Sequence, residues 1–238
     1  MATSKFIDVS IINREIKDLK LLFKKENTFK EGINRFLQLH LQFYKAEMSG
    51  RKDPTFEDLL WTDLNETILR KAVNEKGRTI VYGLWHASRI EDITMNMLVM
   101  KGDQIYDKKF KKEINAGIDH TGNSLSADNI LKMSSRVNIK ALERYRMEVG
   151  IQSRKIIKSL QFTEIKHKIR KEDIERVRGA GAVDDVPSAN WLLTFWGNKT
   201  VEGILFMPAS RHQVIHLKEN YRAKVNGLKS LTDLIRSS

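Results

Sequence analysis

Two histidines four residues apart, His212 and His216, are the residues of this sequence best suited to chemistry. In a helix this spacing stacks both imidazoles on one face, about one turn apart. Two neutral imidazoles held in this way form half of a metal site, and a further ligand must come from another element. His86 is the best candidate, because it lies on an otherwise apolar face of a predicted helix, from which ligands reach the interior of a bundle.

Other chemical patterns are weaker. Gln213 stands where the zinc-protease motif H-E-x-x-H has its glutamate, and an amide cannot act as the general base, so a protease of that type is not expected. A single E-x-x-H match, residues 164–167, lies among lysines and indicates a surface segment rather than a di-iron site. The glycines at 179 and 181 lack the third glycine of a dinucleotide-binding loop.

The remaining histidines leave alternatives open. His40 lies on the apolar face of its predicted helix, which favours a core residue over a hydrogen-bond partner of a ligand or a base that faces substrate. His120 lies between glycines, and we expect an exposed loop residue. His212 and His216 themselves also fit two surface histidines that bind nothing, since spacing alone is a hypothesis.

Composition narrows the class of protein. The chain has 238 residues, 41% of them hydrophobic, which is enough for one large domain. The absence of cysteine excludes disulfides, thiolate metal sites and a cysteine nucleophile, so any thiol chemistry must use a thiol from outside. Residues 1–10 lack the apolar block of a signal peptide, and no apolar run is long enough for a membrane span. We therefore expect a cytoplasmic protein with no membrane partner.

The net charge of +12 raises the possibility of an acidic partner such as nucleic acid. The basic residues are, however, spread over three clusters, around 17–25, 108–112 and 166–171, without aromatic interleaving or zinc-finger spacing. A solvated basic surface is the preferred interpretation, and nucleic acid is not an expected partner.

The elements that position the histidines are predicted to be helices. Apolar periodicity predicts helices over residues 11–25, 28–48, 79–101, 126–160 and 208–227, with short helices within 56–74 and 188–196 and an irregular stretch at 161–188. Thr28 and Glu31 predict a capping box, Ser126 an N-cap, and Pro208 the first turn of the last helix. No strand pattern appears, so the predicted fold is all-α.

Two stretches resemble a known family. Residues 85–92 read W-H-A-S-R-I-E-D, which resembles the W-H-x-x-R-I-E-D stretch of DinB-like proteins, and residues 212–216 resemble the H-x-x-x-H on their last helix. The order and separation of the two motifs also match. The resemblance implies a four-helix bundle of the DinB-like type with extra short helices. Residues 1–26 would form an N-terminal helical extension, and residues 27–238 the bundle domain.

The resemblance also implies a function. DinB-like proteins are often homodimers that hold a divalent metal, zinc or nickel, with ligands at the positions of His86, His212 and His216. Characterised relatives use the metal to activate a low-molecular-weight thiol, so a thiol S-transferase acting on a small-molecule substrate is expected. Two rivals stay open: a non-catalytic basic helical protein that binds an acidic partner, and a stress-response bundle that binds no metal. Glu91 and Asp92 are expected to form ordinary helix ion pairs rather than supports of the site.

Overall fold

The structure is a computed structural model that describes the backbone of residues 8–237 and the side chains of residues 8–233. Within that range the chain forms helices and only two isolated β-bridges, between Val73 and Thr79 and between Lys168 and Thr200. The predicted all-α class is therefore confirmed. None of the described helices has the length and apolar character needed to cross a membrane.

The helices follow one another with short connections. Their bounds are α1 Val9–Leu22, α2 Glu26–Leu41, α3 Phe56–Trp61, α4 Glu66–Lys71, α5 Ile80–Asp92, α6 Lys108–Ile114, α7 Ala127–Arg136, α8 Ile139–Ser159, α9 Lys171–Gly179, α10 Pro187–Gly197, α11 Val201–Phe206 and α12 His212–Ser237. Two 3₁₀ turns lie at Ala46–Ser49 and Phe162–Glu164, and two π-helical segments lie at Ile93–Val99 and Met207–Arg211.

Helix α5 is the centre of the packing. Every residue from Ile80 to Asp92 is buried, because α5 packs against α8 on one side and α12 on the other. Helix α2 packs against α8 and against the π-helical segment before α12. Helix α1 lies on α2 and α12, and its apolar side chains join the same core, so the core extends across the predicted boundary at residue 26.

The predicted helix over residues 126–160 is in fact two helices. Ser126 caps α7 as predicted, but Val137 adopts an extended ψ of 128° and the side chain of Asn138 then caps α8. Arg70 explains the break, since its Nη1 donates to the carbonyls of Ser134 and Val137 at 2.6 and 2.9 Å. The guanidinium of a residue distant in sequence thus replaces helical hydrogen bonds at these two carbonyls.

Both predicted boundaries of α2 and the predicted irregular stretch were wrong. Helix α2 begins at Glu26, and the hydroxyl of Thr28 donates to Leu22 O instead of capping the helix. It ends at Leu41 rather than near residue 48, because the carbonyls of the next residues accept bonds from distant side chains, such as Phe43 O from Arg146. The predicted irregular stretch 161–188 contains α9.

The last helix also differs from its predicted span. Pro208 does not lie in its first turn but in the π-helical segment Met207–Arg211, and α12 starts at His212. Proline has no N–H to donate, and a π-helical turn accommodates that loss. The helix continues past Gly227 to Ser237, and the two histidines lie in its first two turns.

Buried polar contacts join α5 to its neighbours. Glu91 lies 2.7 Å from His40 Nε2, and both side chains are fully buried, which places His40 in the core as predicted. Asp92 pairs with Arg89 three residues away, accepts from the hydroxyl of Tyr145 at 2.7 Å and is fully buried. Asp92 thus forms the expected ion pair within its own helix, but the pair is buried, and through Tyr145 it also links α5 to α8. Glu91 differs from the expectation, because its contact is with His40 of α2 rather than with a residue of its own helix.

A glycine sets the distance between α5 and α12. A Cβ atom at Gly83 would lie 1.9 Å from Oδ1 of Asn220, which is itself buried on α12. No side chain other than hydrogen fits between the helices at this point. The close approach occurs one turn before His86 on α5 and one turn after His216 on α12.

The Gly83→Ala variant tests this constraint. Alanine favours helix formation, yet the overlap with Asn220 must separate the two helices, so we expect the free energy of unfolding to fall by about 1–3 kcal/mol. Urea denaturation followed by circular dichroism measures this. Gly179→Ala is the matched control, because a Cβ atom there meets nothing within 4 Å. Equal stabilities of the two variants would contradict the close approach.

Candidate metal centre

Three imidazoles from two distant helices meet at one point. His86 on α5 and His212 and His216 at the start of α12 form a cluster in which one nitrogen of each ring lies within 4.8 Å of the others. Nε2 of His212 lies 3.2 Å from Nε2 of His86 and 3.1 Å from Nε2 of His216. The structure therefore brings together all three residues that the sequence singled out.

The spacing of these nitrogen atoms fits a single metal ion. Zinc binds imidazole nitrogen at about 2.0–2.1 Å, so two nitrogens at a tetrahedral angle around one ion lie about 3.3 Å apart. The observed separations of 3.2 and 3.1 Å are close to this value. The three histidines could therefore hold a divalent ion, with Nε2 of His212 at a suitable distance from Nε2 of each of the other two.

A loop fixes the ring of His86. Its Nδ1 lies 2.8 Å from the carbonyl oxygen of Thr121, and its ring stacks nearly parallel on Tyr82, with centroids 5.4 Å apart at 8°. The hydroxyl of Tyr82 donates to the carbonyl of Gly122 in the same loop. Because a carbonyl only accepts, Nδ1 of His86 carries the hydrogen and Nε2 presents its lone pair toward the other histidines.

The segment before α10 holds that loop in place. Thr121 N donates to Ala182 O at 3.1 Å, and the hydroxyl of Ser124 donates to Asp184 at 2.5 Å. His120, expected to be exposed, is half-buried here, with Nδ1 accepting from Gly122 N and with burial lowering its pKa. The stretch that follows α9 therefore supports the loop whose Thr121 carbonyl contacts His86.

A carboxylate lies beside His216. Nδ1 of His216 is 3.1 Å from Oε2 of Glu219, one turn further along α12, although the two atoms are not aligned for a hydrogen bond. Glu219 is also paired with Lys76 at 2.7 Å and Arg78 at 3.3 Å, both in the turn before α5. Burial alone would raise the pKa of Glu219, but its contacts with His216 and Lys76 and the charge of Arg78 outweigh burial and lower it, so the side chain is ionised near neutral pH.

His212 has no carboxylate beside it among the described residues. Its Nδ1, like that of His216, is buried without a hydrogen-bond partner among these residues. It is also the only one of the three that is partly exposed, while His86 and His216 are buried. His212 is therefore the least buried residue of the cluster.

The surroundings of the three imidazoles favour their neutral form. Burial, helped by the nearby ring of His216, lowers the pKa of His86 to about 3. Burial and the other two imidazoles lower the pKa of His212 well below its usual value. For His216, burial lowers the pKa despite the opposing effect of Glu219. Only neutral imidazoles bind a metal, so the site is poised for an ion near neutral pH.

The other residues considered in the sequence analysis take no part in the histidine cluster. Gln213 points into the core, where its amide donates to Ala87 O at 3.0 Å and its oxygen accepts from Arg146. It takes no part in the cluster, which agrees with excluding a zinc-protease mechanism. His167 of the E-x-x-H match is exposed, and His40 is used by Glu91.

Sequence analysis missed the residues that hold the ligands. Glu219 carries a readable signal, since it follows His216 by three positions on one face of a helix. Thr121 carries none, because its contribution is a main-chain carbonyl supplied by a loop. Lys76 and Arg78 lie in a turn that approaches α12 only in the folded chain.

Comparisons with known proteins find no match to this chain among protein-family models, curated proteins or solved structures. The resemblance of residues 85–92 and 212–216 to DinB-like proteins therefore stays a prediction. Conclusions about function must come from the geometry of the histidine cluster.

Acid should destabilise the metal-free protein through these histidines. A histidine whose pKa is lowered in the folded state binds fewer protons there than in the unfolded chain, so stability is lost as the pH falls below about 6.5. The folded pKa of His86, about 3, keeps this loss growing across the whole range down to pH 5.

Between pH 6.5 and 5, the free energy of unfolding should depend less steeply on pH in His86→Gln than in the wild-type protein. We expect the slope to be smaller by up to about 1.4 kcal/mol per pH unit. Chemical denaturation of the metal-free protein at several pH values measures the slope. His167→Gln removes a histidine outside the cluster and serves as the control. An unchanged slope in His86→Gln would show that the ring is not held neutral.

Proposed function

We propose that the chain is a divalent-metal-dependent enzyme of the DinB-like type, in which His86, His212 and His216 hold a zinc or nickel ion. Helices α2, α5, α8 and α12 would form its four-helix bundle. The most concrete activity is transfer of a low-molecular-weight thiol to a small-molecule substrate. The observation that supports the proposal most strongly is the convergence of three Nε2 atoms from helices α5 and α12.

The donor set suits such chemistry. Three neutral imidazoles leave a divalent ion its full charge and at least one open position, where a bound thiol or water loses its proton more readily. His86 and His216 are buried, so they provide rigid ligands in a dry environment, and the partly exposed His212 marks the side from which a substrate can approach. The chain has no cysteine that would compete for the metal or for a thiol.

Metal content is the first test. Protein purified without a histidine tag and supplied with Zn²⁺ or Ni²⁺ should retain about one ion per chain after desalting, measured by elemental analysis. The triple variant His86→Ala, His212→Ala, His216→Ala should retain none, because it lacks every proposed ligand. His167→Ala should behave as wild type, since it lies outside the cluster. Retention of the ion by the triple variant would overturn the site.

Thiol activation is the second test. The metal-loaded protein should accelerate the reaction of a small thiol, such as free cysteine, with an aromatic electrophile, and the triple variant should not. Thiol consumption with an Ellman-type reagent measures the rate. Acceleration of ester hydrolysis without any effect on thiols would favour activation of water instead.

The rival of a basic binding protein makes a different prediction. The net charge of +12 supports it, and it requires affinity for nucleic acid that falls steeply with added salt. Metal-free protein that shows such affinity, together with no metal retention, would favour the rival.

A further inference from the structure

Basic residues predominate in the two segments next to His216. The turn before α5, residues 74–79, contacts α12 through Glu219, whose carboxylate lies beside His216. Counted with uncharged histidines, this turn and residues 211–222 carry a net charge of +3, since they contain five basic and two acidic residues. The basic residues are Lys76, Arg78, Arg211, Lys218 and Arg222, and the acidic ones are Glu75 and Glu219.

Both acids in these segments already have basic partners. Nζ of Lys76 lies 2.7 Å from Oε1 of Glu219, and Nη1 of Arg78 lies 3.3 Å from Oε2 of the same carboxylate. Glu75 pairs loosely with Arg222, at 3.8 Å. One cation is enough to balance the charge of Glu219, so the positive charge of the second one is left in excess beside the histidine cluster.

Arg78 lies close to the cluster. Its Nη1 and Nδ1 of His216 are 3.3 and 3.1 Å from the same oxygen of Glu219, so these two nitrogens are no more than 6.4 Å apart. The guanidinium also lies over the ring of Tyr82, which stacks on His86. Its side chain is 27% exposed, so part of the charge faces solvent. Charges interact over about 8 Å at physiological salt, and partly buried charges are screened less, which places the histidines within range of Arg78.

The acids on the other side of the cluster do not offset this charge at the histidines. Asp119, in the loop that contacts His86, pairs with Lys111. Asp184 accepts from the hydroxyl of Ser124 in the same loop. Neither acid contacts a histidine of the cluster, whereas the carboxylate that does is the one with two basic partners.

We propose that the small molecule on which the metal centre acts is an anion, such as a thiol that carries a carboxylate, and that Arg78 is the main residue that selects it. This inference rests on the proposed function and names its substrate class. Arg78 acts as a charge near the reacting atoms and not as a group that touches them. A positive charge about 8 Å away, at the edge of a partly buried site, changes the binding of a singly charged ion about 3–10-fold.

Thiols of similar size and different charge test the selection. The metal-loaded protein and R78Q are compared with 3-mercaptopropionate, 2-mercaptoethanol and cysteamine, which are anionic, neutral and cationic. R78Q should lower kcat/KM about 3–10-fold for the anionic thiol, leave the neutral one unchanged and raise the value for the cationic one. Because each thiol is compared with itself in the two proteins, its intrinsic reactivity cancels. Calorimetry should show the same loss when 3-mercaptopropionate binds to Zn²⁺-loaded R78Q.

The matched control removes a positive charge elsewhere. Lys155 is exposed on α8, and K155Q should leave all three thiols unaffected. Metal content is measured in each variant, and Lys76 keeps Glu219 paired when Arg78 is replaced. An equal effect of R78Q on all three thiols, or an equal effect of R78Q and K155Q on the anionic thiol, would overturn the proposal.

The metal-free protein offers a second measurement, which does not depend on activity. Paramagnetic relaxation caused by an anionic and by a cationic nitroxide of the same size reports the potential near each amide proton. At the partly exposed residues His212 and Ile215, the anionic probe should be favoured more strongly than at the average exposed amide, and R78Q should reduce the difference. A ratio no greater than the average would contradict an anion-attracting site.

The two experiments separate this inference from the proposed function. If all three thiols react with the same dependence on Arg78, thiol activation stands and selection by charge fails. If the metal-loaded protein reacts with none of them, the proposed function fails, and the nitroxide experiment alone decides whether the site attracts anions.

Discussion

The close approach of α5 and α12 is the constraint on which the rest of the structure depends. Gly83 leaves room for only a hydrogen atom against Asn220. At this distance His86 reaches across to two rings on α12, and Gln213 reaches across to the main chain of α5. A wider separation of the two helices would isolate His86 from the pair on α12, because imidazole side chains are too short to span a larger gap. The chemistry of the cluster is therefore a property of helix packing.

The stretch 85–92 has a second role beyond supplying one histidine. The hydroxyl of Ser88 accepts a hydrogen bond from Arg146 of α8, and Asp92 accepts one from the hydroxyl of Tyr145, also on α8. Glu91 contacts His40 of α2. Each of these groups is buried, so a shift of α5 along its axis would leave several unpaired charges in the core. The buried polar groups thus fix the register of α5, and the register in turn decides which face carries His86.

The sequence predicts features that depend on residues close to one another in the chain, and it fails where the interacting residues are far apart in the chain. The spacing of His212 and His216 and the apolar face around His86 are local patterns, and they predicted all three members of the cluster. The break after α7 depends on Arg70, a distant side chain that binds the carbonyl of Val137, so periodicity alone gave one helix instead of two. The carbonyl of Thr121 and the basic residues Lys76 and Arg78 were equally hidden, because they come from a loop and a turn that are distant in sequence, whereas Glu219 lies three positions after His216 on the same helix.

The cluster also joins positions that are far apart along the chain. His86 and His212 are separated by 126 residues. An ion held between them would act as a reversible cross-link that closes a very long loop, and in the simple chain-entropy view such a closure destabilises the unfolded chain more than a short one does. Coordination would then make an otherwise cysteine-free protein resistant to unfolding in the way that disulfides do in secreted proteins, but under the control of metal supply.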